Sequence, residues 1–200
     1  MKTKEKKSKS WSEFAKTFLI TAVIALLFIN FIAHPVNVIG SSMYPTLEDG
    51  EYGFTYLLGA KLNQIEREDI VIVNVDDSHW VKRVIGMPNE TIECKNDEIY
   101  INGNKLDESG YIDQDYKREV IQQYGYFSQY PVEIETDGEV RKVVSDWGPI
   151  QLKSDEYFVM GDNRPFSSDS RNPEVGPIHA DKLYGKNMLV LFPLNKMGWN

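Results

Sequence analysis

Residues 17–33 (TFLITAVIALLFINFIA) carry no charge, and that run constrains the chain more than any other feature. As a helix it would be about 25 Å long, a little short of the roughly 30 Å hydrocarbon core of a bilayer. Starting at Phe14 and letting Lys16 snorkel extends it to about 30 Å. Trp11 stands where an interfacial aromatic belongs. Apolar residues cover every face, which argues against a helix half-packed on a soluble core. A cleaved leader needs a shorter apolar region and small residues before the cut, whereas the exit here is Phe31-Ile32-Ala33. The expectation is a single transmembrane anchor over 17–33.

Charge gives that anchor a direction. Residues 1–16 hold lysines at 2, 4, 6, 7, 9 and 16 against Glu5 and Glu13, a net +4. With −8 overall, the remainder carries −12. A basic tip before an acidic body predicts a cytoplasmic N-terminus, a cell-membrane location and residues 34–200 outside the cytoplasm. The acidic body also excludes a nucleic-acid binder that needs a basic face. The lone Cys94 cannot form an internal disulfide, and no Cys/His cluster suggests a metal, so a buried, inert thiol is expected there.

After the anchor the chain reads as mainly β. Val36 and Val38 alternate with Asn37 and Ile39, and an extended segment would put Val36, Val38, Gly40 and Ser42 on one side. Pro35 and Gly40 argue against helix. Tyr52, Phe54 and Tyr56 alternate in the same way. Ile70-Val71-Ile72-Val73 is a β-branched run of the kind buried on both faces. Asn102-Gly103 after Ile99-Tyr100-Ile101 signals a hairpin, and 157–160 and 188–192 supply two more strands. No helical periodicity stands out beyond the anchor. Residues 107–146, with ten acids, four bases and five tyrosines, read as a solvated excursion from the sheet.

Three polar stretches carry the chemistry. Ser41-Ser42-Met43-Tyr44-Pro45-Thr46 follows the anchor by about ten residues. A serine is a poor nucleophile without a base. The histidines offer little: His34 lies at the membrane exit, and His79 and His179 sit in turn-like contexts. In Trp80-Val81-Lys82-Arg83-Val84, alternation puts Trp80, Lys82 and Val84 on one face. Desolvation there would favour a neutral amine, which a general base must be. The pattern alone divides Lys82 evenly between that role and an exposed lysine on an edge strand. The third stretch, Gly161-Asp162-Asn163-Arg164-Pro165-Phe166-Ser167-Ser168-Asp169-Ser170-Arg171, holds two acids, two arginines and three serines. It reads either as a polar surface loop or as a packed turn holding a hydroxyl against Lys82.

Together, in this order and after an anchor, these stretches resemble the signature boxes of type I bacterial signal peptidases, in the short single-span form of Gram-positive bacteria. The resemblance implies a signal-peptidase-like β-sheet catalytic domain and a serine endopeptidase with Ser42 as nucleophile and Lys82 as base. It implies that Ser167 orients the amine, and that Asp162, Arg164, Asp169 and Arg171 brace the site. Val36, Val38, Met43 and Val81 match positions bordering pockets for small substrate side chains. The implied substrates are secretory preproteins cut after small-x-small sequences at the bilayer surface, with no metal or cofactor. Gly40 replaces a serine that helps the oxyanion hole in some relatives, and Glu68-Asp69 replaces a usual Gly-Asp. The resemblance does not extend to 107–146. A repressor-type Ser-Lys autoprotease would share the dyad but needs a DNA-binding module where this chain has its anchor. An inactive anchored binding protein is the other rival.

Overall fold

The computed structural model describes residues 2–61, 64–75, 78–136 and 139–200. Side chains of the basic tip before Trp11, and the Asp76-Asp77 pair preceding His79, lie outside the described residues. In chain order the elements are α1 (Lys2–Phe31), β1 (Ala33–Asn37), β2 (Tyr52–Tyr56), α2 (Leu57–Lys61), β3 (Ile70–Val75), β4 (Ser78–Gly86), β5 (Thr91–Lys95), β6 (Glu98–Ile101) and β7 (Asn104–Lys105). There follow α3 (Gln114–Tyr124), β8 (Tyr130–Thr136), β9 (Glu139–Ser145), β10 (Trp147–Gln151), β11 (Glu156–Met160), β12 (Ile178–His179), β13 (Leu183–Phe192) and β14 (Gly198–Trp199). The chain is mainly β, with one N-terminal apolar helix.

Within α1, Trp11–Phe31 is long and apolar enough to cross a membrane, and none of it is buried against the rest of the protein. The helix ends at Phe31, two residues short of the expected boundary, because Ala33 already pairs with Tyr56 as the first residue of β1. Anchor and sheet are therefore joined by one residue.

The main sheet runs β1-β2-β13-β3-β4-β11-β12, with β14 added on β13. Its centre is the β-branched run of β3, whose Ile70, Val71, Ile72 and Val73 are all buried, as a strand covered on both faces requires. A smaller sheet, β10-β5-β6-β7, packs Ile92, Ile99 and Ile101 against Ile85, Phe158 and Met160 of the main sheet. Asn102-Gly103 turns β6 into β7 with φ of 50° and 77°, the left-handed pair that a two-residue hairpin needs. On β2 the aromatic side of the alternation faces outward. Gly53 and Thr55 are buried instead, because β13 lies so close that a methyl group on Gly185 would meet Thr55 Oγ1 at 2.4 Å.

Residues 107–146 depart from the expected solvated excursion. They contain α3, capped by the Asp113 carboxylate on the Tyr116 N–H and ended by Gly125 at φ 82°. The helix escapes a periodicity reading because only Val120 of its residues is buried. Its flanks reach inward: Ile112, Val120 and Phe127 form a cluster of their own, and Glu108 and Ser128 are buried too. The hairpin β8–β9 then forms a separate two-stranded sheet.

Candidate active site

The turn carrying Ser42 is held from below. Met43 and Leu47 are fully buried with Val38, Ile70, Met188 and Val190, which leaves Ser42 half-exposed above them. The approach is not the continuous extended segment expected from alternation. β1 stops at Asn37, and Gly40 takes φ 88°, with its N–H donating to Asp49 Oδ1 at 2.7 Å. That bond commits the Gly40 backbone, so it is not a free donor for an oxyanion.

β4 brings Lys82 to the same point. Lys82 is 4% exposed, and its Nζ lies 2.8 Å from Ser42 Oγ. Burial is the main reason its amine is pulled from 10.5 down to about 8, a shift that Asp169 partly opposes. Trp80 lies on the same strand face, its ring centroid 5.6 Å from Nζ. Among the described residues, none of the three histidines is hydrogen-bonded to Ser42 or Lys82. His34 and His79 pack on Tyr184, and His179 Nδ1 sits 3.0 Å from Asp155 Oδ2. A buried, easily neutralised amine in contact with a hydroxyl can accept that hydroxyl's proton.

The loop 161–171 closes the site from β11. Asn163 N–H donates to the Ser42 carbonyl at 3.1 Å, and Asn163 Nδ2 donates to the Ser41 carbonyl at 2.9 Å. Gly161 is gripped on both sides: its N–H donates to Asp169 Oδ2 (3.0 Å), and its carbonyl accepts from Arg164 Nε (3.1 Å). Asp169 and Arg171 form the expected pair, with Nε to Oδ1 at 2.8 Å and both side chains fully buried. Burial alone would raise the Asp169 carboxyl, but the Arg171 charge together with hydrogen bonds from Arg171, Ser167 and the Gly161 N–H outweighs it and holds it below the usual range.

Asp162 and Arg164 do not pair with each other. Asp162 takes a two-pronged contact from Arg83, with Nε at 2.8 Å and Nη2 at 2.5 Å, and a bond from Thr46 Oγ1 at 2.6 Å. Arg164 turns the other way, to Glu108 Oε1 at 2.5 Å. Ser167 also differs from expectation. Its buried Oγ lies against the Asp169 carboxylate, which it helps to hold ionised, and makes no hydrogen bond to the Lys82 amine, which contacts Ser42.

Residues 11–192 match the family model described as signal peptidase, peptidase S26. The chain belongs to that family. Signal peptidase I S of Bacillus subtilis (strain 168) is 41% identical over 191 residues, covering 96% of this chain and 94% of that one. Signal peptidase I T of the same strain is 40% identical over 198 residues (98% and 93%). Signal peptidase IB of Staphylococcus aureus (strain MRSA252) is 31% identical over 194 residues (96% and 95%). A crystal structure of a signal peptidase I from Enterococcus faecalis V583 is 27% identical, with a TM-score of 0.42, and covers 60% of this chain and 94% of that one. The chain is thus a signal peptidase I-type protease.

Two participants in this signal peptidase's polar network escaped the sequence reading. Arg83, which stays charged and so cannot act as a base, ties β4 to Asp162. Glu108 lies in the segment read as a solvated excursion. The available signal was a charge count. Three inward arginines (83, 164, 171) against two acids (162, 169) require a third carboxylate, since a buried charge needs a partner. Which of ten acids in 107–146 supplies it cannot be read from spacing.

Beside Ser42 and Lys82 opens a cleft of about 460 Å³, walled by residues 34–39 on one side and 79–82 on the other. Val36, Val38, Met43 and Val81 all line it. Among the described residues, the first half of β4 has no strand partner on its β11 side, where pairing begins at Arg83. Cys94 is remote from this cleft and buried, which pushes its thiol up to about 12, as an inert residue requires.

Proposed function

We propose that this protein is a membrane-anchored serine endopeptidase in which Ser42 and Lys82 work as a dyad to remove signal peptides from secretory preproteins. The observation that carries the reading is the 2.8 Å contact between a buried Lys82 amine and the Ser42 hydroxyl.

In its neutral form the Lys82 Nζ takes the Ser42 proton as Oγ attacks the scissile carbonyl. The carbonyl oxygen becomes an oxyanion, and the Ser42 N–H, which donates to no other group among the described residues, is available to it. Collapse breaks the C–N bond, and the Lys82 ammonium returns its proton to the leaving amine. Water then attacks the Ser42 ester with Lys82 as base again, releasing the new C-terminus. Ser167, buried beside Asp169, is the hydroxyl that orients the amine once substrate tightens the site. Asp162, Arg164, Asp169 and Arg171 hold the loop that backs Ser42.

The substrate adds as an extended strand between residues 36–40 and 78–82, main chain to main chain. Val36, Val38, Met43 and Val81 border pockets that accept only small side chains, hence cleavage after Ala-x-Ala-like sequences. The anchor over 17–33 holds Ser42 at the membrane plane where a signal peptide's cut site emerges, which raises effective concentration. The basic tip (1–16) lies in the cytoplasm and residues 34–200 outside it. The test is cleavage of a preprotein by the solubilised full chain. Wild type and His179→Ala cut at the small-x-small site, and Ser42→Ala and Lys82→Ala do not. Retained cleavage in Lys82→Ala would sink the dyad.

A further inference from the structure

The cleft continues past its apolar residues. Cross-strand pairing of Ile72 with Val81 and of Asn74 with His79 places these four side chains on one face of the sheet. Moving away from Ser42 along that face, Val81 gives way to His79; along β1, Val36 gives way to His34. Both histidines line the cleft together with Tyr184. The Tyr184 ring centroid lies 5.4 Å from each imidazole, edge-on to His34 and stacked on His79. A hydrophobic floor thus ends in a cluster of three rings that carry polar atoms.

The hydrogen bonding of His79 defines what it offers. Its Nδ1 lies 2.6 Å from Asn74 Oδ1. An amide oxygen only accepts, so in the neutral ring Nδ1 carries the proton and Nε2 presents a lone pair. No hydrogen bond satisfies Nε2 among the described residues, and the side chain is exposed to the cleft.

Spacing identifies what meets it. An extended peptide advances about 3.3 Å per residue, so side chains on one side recur about every 6.6 Å. Val81 to His79 and Val36 to His34 are each one such step. With the first and third residues before the scissile bond on the apolar part of the floor, the fifth falls on the ring cluster. We propose that His34, Tyr184 and His79 form a subsite for this fifth residue, one that selects a side chain donating a hydrogen bond, such as Gln or Ser. This rests on the endopeptidase reading above. An aliphatic side chain would cover Nε2 without a partner, and a carboxylate would set two acceptors against each other.

The test uses the full-length protein at pH 8 and three preproteins identical except for Gln, Leu or Glu at that position. The Gln substrate is expected to lead in kcat/KM by about three- to tenfold, carried in KM. In His79→Phe, which keeps a ring on Tyr184 but no nitrogen, the ratios fall to about one. Asn74→Leu removes the acceptor that fixes the tautomer and shifts preference from Gln toward Glu, which keeps the idea testable if His79→Phe does not fold. Equal rates for the three substrates, a Gln preference that persists in either variant, or one that appears at the fourth or sixth residue instead would each overturn the subsite. The endopeptidase reading fails on a different result, namely cleavage that survives Ser42→Ala.

Discussion

Gly161 faces the Ser42 carbonyl so closely that a methyl group on it would lie 2.3 Å from that oxygen and 2.4 Å from Ser167 Oγ. The nucleophile turn and the loop after β11 are therefore in backbone contact, with Asn163 donating to both Ser41 and Ser42 carbonyls. Neither side of that contact is the end of a flexible side chain.

Gly161→Ala should consequently move Ser42 relative to Lys82. A displacement approaching 1 Å costs about a hundredfold in rate. The expected outcome is a loss of about that size in kcat/KM with the fold retained, checked by cleavage kinetics beside a thermal melt. Full activity in the variant would mean that the close approach has no hold on the nucleophile.

Lys82 should impose an ascending limb on the pH–rate profile. The active form is the neutral amine, whose fraction rises as pH passes upward through a value of about 8. Cleavage should increase about tenfold per pH unit below that point and level off above it. A profile flat from pH 6 to 9 would argue against a lysine base.

The same burial makes Lys82 a stability liability at neutral pH. Its folded value, about 8, lies below 10.5, so the penalty for burying the charge is full below pH 8 and fades toward pH 10.5. Lys82→Met should raise Tm at pH 7, by an amount corresponding to about 3 kcal/mol. The gain should shrink to near zero by pH 10.5. Melts of both proteins across that range would show it.

Glu108 should matter more than its place in an acidic segment suggests. Burial would raise its carboxyl, but the Arg164 charge and bonds from Arg164 and Tyr111 outweigh that and hold it below the usual range. Its contribution to stability is present above the unfolded value near 4.3 and is lost as pH falls through the lower folded one. Glu108→Ala leaves Arg164 buried and unpaired, which should cost about 3–5 kcal/mol at pH 7. Denaturant melts of wild type and variant measure it, and a cost under about 1 kcal/mol would show that Arg164 finds another partner.

Much of the fold was legible because it follows from local pattern. The uncharged run became a helix, the β-branched run became the central strand, and Asn102-Gly103 became a two-residue turn. Even Glu68, where the resemblance leads one to expect glycine, adopts a left-handed turn at φ 75°, stitched by its N–H to the Val84 carbonyl and by Arg83 to its own carbonyl. Helix α3 was not legible, since a helix with one buried residue leaves no periodic trace and is marked only by its caps, Asp113 and Gly125.

What the sequence determined by itself is which residues can do chemistry: a serine just past an apolar helix, a lysine sharing a strand face with Trp80 and Val84, and a loop dense in acids, arginines and hydroxyls. Only the tertiary structure decided who partners whom. Arg83 rather than Arg164 holds Asp162, Glu108 reaches Arg164 from 56 residues away, and Ser167 lies against Asp169 rather than bonding Lys82. The reason is physical. Residue type and alternation are local properties, whereas pairing among buried charges depends on which strands and loops meet, and many pairings would satisfy the same charge count.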